Sequence, residues 1–445
     1  MKKLLQRLRN LVMGRREENG YYHGQDAAYD QPSLDGNNQR QLYTALDIGT
    51  EFAKAIIIEV REDDGIVLGV GRHHQSYSHM SDGIVTDIPG VIANCNEALI
   101  QAEQAAGGVV APAAVIGIAG ELVKGSSITI NKQRQQPAKP ITPEELESVI
   151  SSAQQKQLKI AKDRIAAEMG IQNIEVRLTN AAVISARIDG QVVSNPIGFK
   201  GRHFTLTLFS AFAPLMQLGA LETVAQGLDL TLVSIVAEPY ALARCLSTNA
   251  SADSGAIFID IGGGTTDIAL VRQGGIEETR MFALGGRTFT RRLATGKGIS
   301  LKQAEKLKLD YSDGQIKGSD REEVQNILAS ECQTWMDSVE LLIEELAKGQ
   351  LLPPAIYLVG GGSGLPDLQQ KLESFPWVDR LPFSHQPIIE LVQPEMVGSI
   401  FDPDHLLKSA QDITPMALAH QAIELQNENT VLERALYRVI HSLHI

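Results

Sequence analysis

The chain has 445 residues, 43% of them apolar and only 5% aromatic, with 39 glycines and a formal net charge of -13. A chain this long divides into two or more cores, and its acidic balance excludes a general nucleic-acid binder, which needs clustered Lys and Arg to neutralise phosphates. Three scattered cysteines, Cys95, Cys245 and Cys332, form no metal or redox spacing and fit a reducing cytoplasm, and no apolar run approaches the roughly eighteen residues of a membrane span.

Residues 1–18 form a basic amphipathic helix. Leu4, Leu5, Leu8, Leu11 and Val12 share one helical stripe, and Lys2, Lys3, Arg7, Arg9, Arg15 and Arg16 surround it. Arg7 and Arg9 break the apolar core that a signal peptide requires. The segment reads either as a helix lying on an anionic membrane surface or as a solvated, frayed basic terminus. Residues 19–40 are polar and Gly-rich, a flexible linker.

Order begins near Leu42 with a strand ending in Asp47-Ile48-Gly49-Thr50, then further strands with a hairpin turn at Asp63-Asp64-Gly65. His73, His74 and His79 cluster without acidic or Cys partners and read as surface histidines. The spacing of Val91, Ile92, Cys95, Ala98, Leu99 and Ala102 predicts an amphipathic helix over 88–106, opened by Pro89. Residues 113–118 are a buried strand. An inserted α+β module follows, with strands at 126–131, 175–179 and 181–188 and one long helix. Thr142-Pro143-Glu144-Glu145 opens that helix with an N-cap, a first-turn proline and acids at the positive dipole end.

The pattern continues with a strand at 204–212, a helix at 215–226 ended by Gly227, and a strand at 232–237 running into Glu238-Pro239 and a helix through Cys245. The second glycine turn reads Asp260-Ile261-Gly262-Gly263-Gly264-Thr265-Thr266-Asp267, with a hairpin through Gly274-Gly275 beyond it. Residues 288–349 read as mostly helical and charged, interrupted near 310–319. The third turn, Gly360-Gly361-Gly362-Ser363-Gly364, starts the last strand-to-helix unit, and 376–403 are surface connections. At the end of the chain Val431, Leu432, Ala435, Leu436, Val439, Ile440 and Leu443 share a stripe suited equally to packing on the protein or to membrane contact.

A strand ending in Asp-x-Gly holds a carboxylate beside backbone amides that only glycine lets approach a phosphate. Two such turns predict two halves clamping one nucleotide. The ordered set Asp47-x-Gly49-Thr50, Glu238-Pro239, Asp260 to Asp267 and Gly360 to Gly364 resembles the actin–chaperone–sugar-kinase ATPase superfamily across residues 42–425. Within it, the chain is similar to the bacterial FtsA division family. Gly83-Ile84-Val85-Thr86-Asp87-Ile88 before a helix, the position of the insertion, and its ending Asn195-Pro196-Ile197-Gly198-Phe199-Lys200-Gly201 carry that resemblance.

The resemblance implies an α/β, actin-like ATPase fold: two RNase H-like domains with an inserted α+β (SHS2-type) subdomain. It divides the chain into a first ATPase domain (41–122 and 206–255), the insert (123–205), a second ATPase domain (256–287 and 350–426), a helical subdomain (288–349) and a C-terminal amphipathic helix (427–445). It implies ATP and Mg²⁺ as cofactors, with Asp47 and Asp260 holding Mg²⁺, partly through water. Gly49, Thr50, Gly262, Gly263, Gly264 and Thr265 would face the phosphates, with Lys54 either reaching a phosphate or lying on the strand surface. Glu238 and Asp267 match the catalytic acids of the chaperone branch. Gly285, Gly286, Glu305 and Lys308 resemble nucleoside contacts, and Gly360, Gly361 and Gly362 would line the base.

The implied function is an ATP-binding division protein, at most a slow Mg-dependent ATPase. It would self-associate into filaments or oligomers on the cytoplasmic face of the membrane and recruit the tubulin-like FtsZ to the septum. That family anchors through a C-terminal helix after a linker, whereas here the basic helix is N-terminal. A PilM-like pilus-assembly protein is the alternative. A small-molecule kinase fits less well, because no further carboxylate motif supplies an acceptor base. A chaperone is disfavoured because no peptide-binding β-domain follows.

Overall fold

Apolar β-formers alternate with short turns at the start of the described chain. They give an antiparallel meander of β1 (Gln41–Ile48), β2 (Phe52–Arg61) and β3 (Asp64–His74). The computed structural model describes residues 40–445 except 121, 172, 251–254, 273–274, 375, 427–429 and 444–445. The basic helix expected at 1–18 and all but the last residue of the expected linker lie outside the described residues. The β2–β3 turn sits at Glu62-Asp63, with Glu62 left-handed at φ 54°, one position earlier than the sequence suggests.

A short ribbon of β4 (Met80–Ser81) and β5 (Ile84–Val85) leads into α1 (Ile88–Ala105), where Asp87 accepts from the Gly90 amide and Pro89 occupies the first turn. β6 (Ala113–Ile118) then returns parallel to β1. The insertion comprises β7 (Lys124–Gln133), α2 (Pro143–Met169), β8 (Val176–Ile188), β9 (Gln191–Val192) and β10 (His203–Pro214). One continuous β8 replaces the two strands expected at 175–179 and 181–188. Register shifts against β10 let it stay paired through the irregular stretch. α3 (Leu215–Gly227) and β11 (Thr231–Ala237), parallel to β6, close the first layer, and α4 (Glu238–Ala250) carries the chain to the second half.

The second half repeats the first: a meander of β12 (Ala256–Ile261), β13 (Thr266–Arg272) and β14 (Gly275–Phe282), later joined by a strand parallel to its first member. Three helices intervene, α5 (Gly286–Lys297), α6 (Leu301–Ser312) and α7 (Ser319–Ala347), with the expected break falling between α6 and α7. β15 (Ala355–Val359) lies parallel to β12, and α8 (Pro366–Glu373) and β16 (Ile388–Leu391) follow. The insert sheet adjoins β14 through the Glu278–Ser126 pairing and the Gly125 amide, which donates to Thr279 Oγ1 at 3.2 Å.

From here the structure departs from the sequence-based division, which assigns 350–426 to the second domain. β17 (Ile400–Phe401) pairs with β3, and α9 (Ile413–Glu424) packs on β1, β6 and α4, in the core of the first half. Every residue from Ile413 to Ile423 is buried, so this helix has no polar stripe and no helical periodicity to betray it.

The last helix, α10 (Val431–Leu443), lays Leu432, Ala435, Leu436 and Val439 against α2 and β8 of the insert. Arg438 Nε donates to Glu147 Oε1 at 2.8 Å. Of the two uses open to its apolar stripe, the structure shows packing within the chain. Leu436→Ala should therefore cost about 2–4 kcal/mol of unfolding free energy, read by chemical denaturation. An unchanged midpoint would show that the contact contributes nothing.

Candidate functional site

β1 and β12 each carry an acid at their next-to-last position, and register gives each acid a partner on the next strand. Asp47 is opposite Lys54, and Asp260 is opposite Asp267. Directly opposed residues share a face of an antiparallel pair. The two meanders therefore deliver all four side chains to one cleft of about 660 Å³. Glu238, the first residue of α4, reaches the same floor. A Cβ on Gly117 would lie 2.7 Å from Glu238 Oε1, so only glycine leaves room for that carboxyl.

The glycine turns interlock. A Cβ on Gly263 would come within 2.8 Å of Glu51 Cβ, and one on Gly264 within 2.9 Å of Thr50 Oγ1. The Gly286 and Arg287 amides donate to the carbonyls of Gly262 and Gly263 at 2.9 and 2.8 Å. Gly360, at φ 83°, packs its Cα on Asp260, where a Cβ would sit 2.1 Å from Oδ1. The third turn thus buttresses the acid of the second.

Of the residues expected from sequence, Asp47, Gly49, Thr50, Lys54, Glu238, Asp260, Gly262, Gly263, Thr265 and Asp267 line the cleft, as do Gly286, Glu305, Lys308, Gly360, Gly361 and Gly362. Gly264 and Gly285 do not. Gly264 is buried against Thr50, and Gly285 packs behind the second turn on the Gly262 carbonyl. Lys54 is not a strand-surface residue: Nζ donates to Asp47 Oδ2 at 2.9 Å and to the Gln411 carbonyl at 2.8 Å. Lys308 Nζ pairs with Glu305 Oε2 at 2.8 Å and also reaches Thr290 Oγ1 and the Gly286 carbonyl.

Burial dominates the electrostatics, and like charge adds to it. Burial raises the Asp260 carboxyl to about 6, opposed by the Thr414 hydroxyl and Lys54. Burial and the neighbouring Asp260 raise Asp267 to about 7. Burial and the charges of Asp47, Asp260 and Asp267 push Glu238 well above the usual carboxylate range. Such an excess of acid fits a divalent cation. Among the described residues, no three His, Cys, Asp or Glu are arranged to hold a metal by themselves. Asp47 and Asp260 are the strand-end carboxylates that could hold one.

Several cleft residues carried no sequence signal. Arg287 crosses between the halves: Nε donates to Glu51 Oε2 at 2.6 Å, its other nitrogens donate to the carbonyls of Gln75 and Met80, and its guanidinium lies 4.3 Å from the Tyr77 ring centre. Thr414, on the unforeseen α9, donates to Asp260 Oδ2 at 2.7 Å. The histidines differ from expectation too. His74 Nε2 is 2.6 Å from Glu51 Oε1, and His79 Nε2 is 3.7 Å from Asp87, so both have acidic partners supplied by the fold.

A family model described as cell division protein FtsA matches residues 257–432. The FtsA of Pseudomonas aeruginosa is 24% identical over 380 residues, covering 79% of this chain and 86% of that protein. The FtsA of Streptococcus pneumoniae is 24% identical over 345 residues, covering 73% and 72%.

The chain is FtsA-like.

Its homology supports a role in cell division. A solved PilM-PilN type IV pilus biogenesis complex aligns with this FtsA-like chain at a TM-score of 0.61 and 19% identity, over 86% of this chain and 99% of that one. That likeness bears on the fold alone. The fold is that of the actin-like ATPases.

Asp260 and Asp267 have folded pKa values above their unfolded ones. The folded chain therefore binds more protons between about pH 4 and 7, and their contribution to stability falls as pH rises through that window. Asp260→Asn keeps the acceptor for Thr414 and removes one charge. Without nucleotide or metal, D260N should be more stable than wild type at pH 8 by about 2–3 kcal/mol, with the gap closing near pH 4. Thermal melts across that range would test this; a less stable D260N at pH 8 would contradict it.

Proposed function

We propose that this FtsA-like chain binds Mg-ATP between its halves and assembles on the cytoplasmic face of the membrane as a tether for FtsZ at the division septum. The observation that carries the nucleotide part is the meeting of Asp47–Lys54 and Asp260–Asp267 across interlocked glycine turns. Asp47 and Asp260 would flank the cation, which supplies charge neutralisation for the phosphates. Lys54 and the amides and hydroxyls of the first two turns would hold phosphate oxygens. Glu305 would take the ribose hydroxyls and Gly360 to Gly362 the base.

Turnover on this reading is slow. Burial, with its acidic neighbours, raises the Glu238 carboxyl well above the usual carboxylate range, which makes it a poor base toward an attacking water. Membrane attachment falls to residues 1–18, because the apolar stripe of α10 is spent on the insert. No helix among the described residues is long and apolar enough to cross a membrane.

Two experiments test the proposal. Titration calorimetry should show ATP binding that Mg²⁺ strengthens and Asp260→Ala abolishes; retained affinity in D260A would count against the cleft. Co-sedimentation with anionic liposomes and FtsZ polymers should show FtsZ carried down with lipid only when this protein is present. Deleting residues 1–18 should lose the lipid, and deleting 430–445 should keep it. The anchor assignment fails if the first truncation binds vesicles like the full chain, and the tether fails if FtsZ stays in the supernatant.

A further inference from the structure

After β16 the chain passes from the second half back to the first, and residues 409–414 at the head of α9 are where that crossing meets the cleft. These few residues touch the second and third glycine turns and reach the acid of the first through Lys54. The Ala410 carbonyl accepts from the Gly360 amide at 3.0 Å, the Gln411 carbonyl accepts from Lys54 beside Asp47 at 2.8 Å, and Thr414 Oγ1 donates to Asp260 Oδ2 at 2.7 Å. Asp412 locks the segment, accepting from the amides of Lys408 and Ser409 at 3.0 and 3.3 Å and pairing with Arg72 of β3.

Thr414 stands out on its helix. Its neighbours Ile413, Pro415, Met416, Ala417 and Leu418 are apolar and buried, and Thr414 itself is only 4% exposed. A helical threonine ordinarily turns its hydroxyl to the preceding carbonyls; this one reaches across the cleft to a carboxylate of the other half. With Oδ2 held by Thr414 and Oδ1 against Gly360, the Asp260 carboxylate keeps one orientation.

We infer that Thr414 is a positioning residue that fixes Asp260 toward a nucleotide-bound cation, tying the first-half helix α9 to the second-half acid so that Mg²⁺ strengthens nucleotide binding only in the tied arrangement. This rests on the Mg-ATP reading of the cleft. A Thr→Val change keeps shape and removes the donor, and a Thr→Ser change restores it.

In the full-length protein, T414V should weaken ATP binding measured with Mg²⁺ by about ten- to hundredfold, the worth of a hydrogen bond to a charged group. It should leave ATP binding measured in EDTA within about twofold of wild type, since no hydrogen bond to the metal-free nucleotide is lost. T414S should recover the Mg²⁺-dependent gain. Equal loss in both conditions, no loss with Mg²⁺, or a T414S that behaves like T414V would overturn the assignment. If wild type binds no ATP in either condition, the Mg-ATP reading fails on its own. Amide exchange at Gly360 in the nucleotide-free chain then tests the tie directly: T414V should speed it several-fold, and unchanged exchange would overturn the tie.

Discussion

Burial of several carboxylates together in one cleft is the constraint around which this molecule is organised. Asp47, Asp260, Asp267 and Glu238 converge on one cleft, and the fold sets against them mainly Lys54 and the hydroxyls of Thr265 and Thr414. Left alone, that arrangement costs stability, because ionised acids are held out of water. It persists because β1 and β12, which carry Asp47 and Asp260, are interior strands of the two sheets, paired on both sides. A cation and a phosphate chain entering together would relieve the strain, so the cleft is built as a place of unmet charge. Function and stability pull in opposite directions at Asp260.

The glycines serve that geometry in a way that differs from phosphate cradling alone. Gly263 and Gly264 let the turns of the two halves touch, Gly117 makes room for the Glu238 carboxyl, and Gly360 lets the third turn press on Asp260. A side chain at any of them would hold the halves or the acids apart. Arg287 adds a cross-cleft bond on the first-half side, where Glu51, two carbonyls and a tyrosine ring receive it. The two halves are therefore linked near the site at several points, and opening the cleft must break them together.

The insert and the C-terminal helix form one packed unit. α10 completes the core of the insert instead of presenting its stripe outward. The insert sheet in turn adjoins β14, and the buried Glu278 there meets Arg164 of α2. Motion of the second half would reach the insert through that seam, which gives the module a physical connection to the cleft.

Local sequence settled much of this. Asp-x-Gly at strand ends, Thr142 before Pro143, and the alternating apolar runs each carry their own short-range physics, so the strands, most helices and the three turns were legible residue by residue. Cross-strand register could be foreseen only as far as the motifs implied it. Other features had no local signature. α9 is buried on every side, so no period marks it, and its place on the first sheet comes from a chain that doubles back after β16. Whether Lys54 lay on a surface or in the cleft, which partner His74 would find, and where the stripe of α10 would be buried all depended on residues far away in sequence. Hydrophobic period and turn chemistry are properties of neighbours along the chain, and the sequence alone determined what they govern. Partners across the cleft are brought together by packing two halves, and only the tertiary structure decided them.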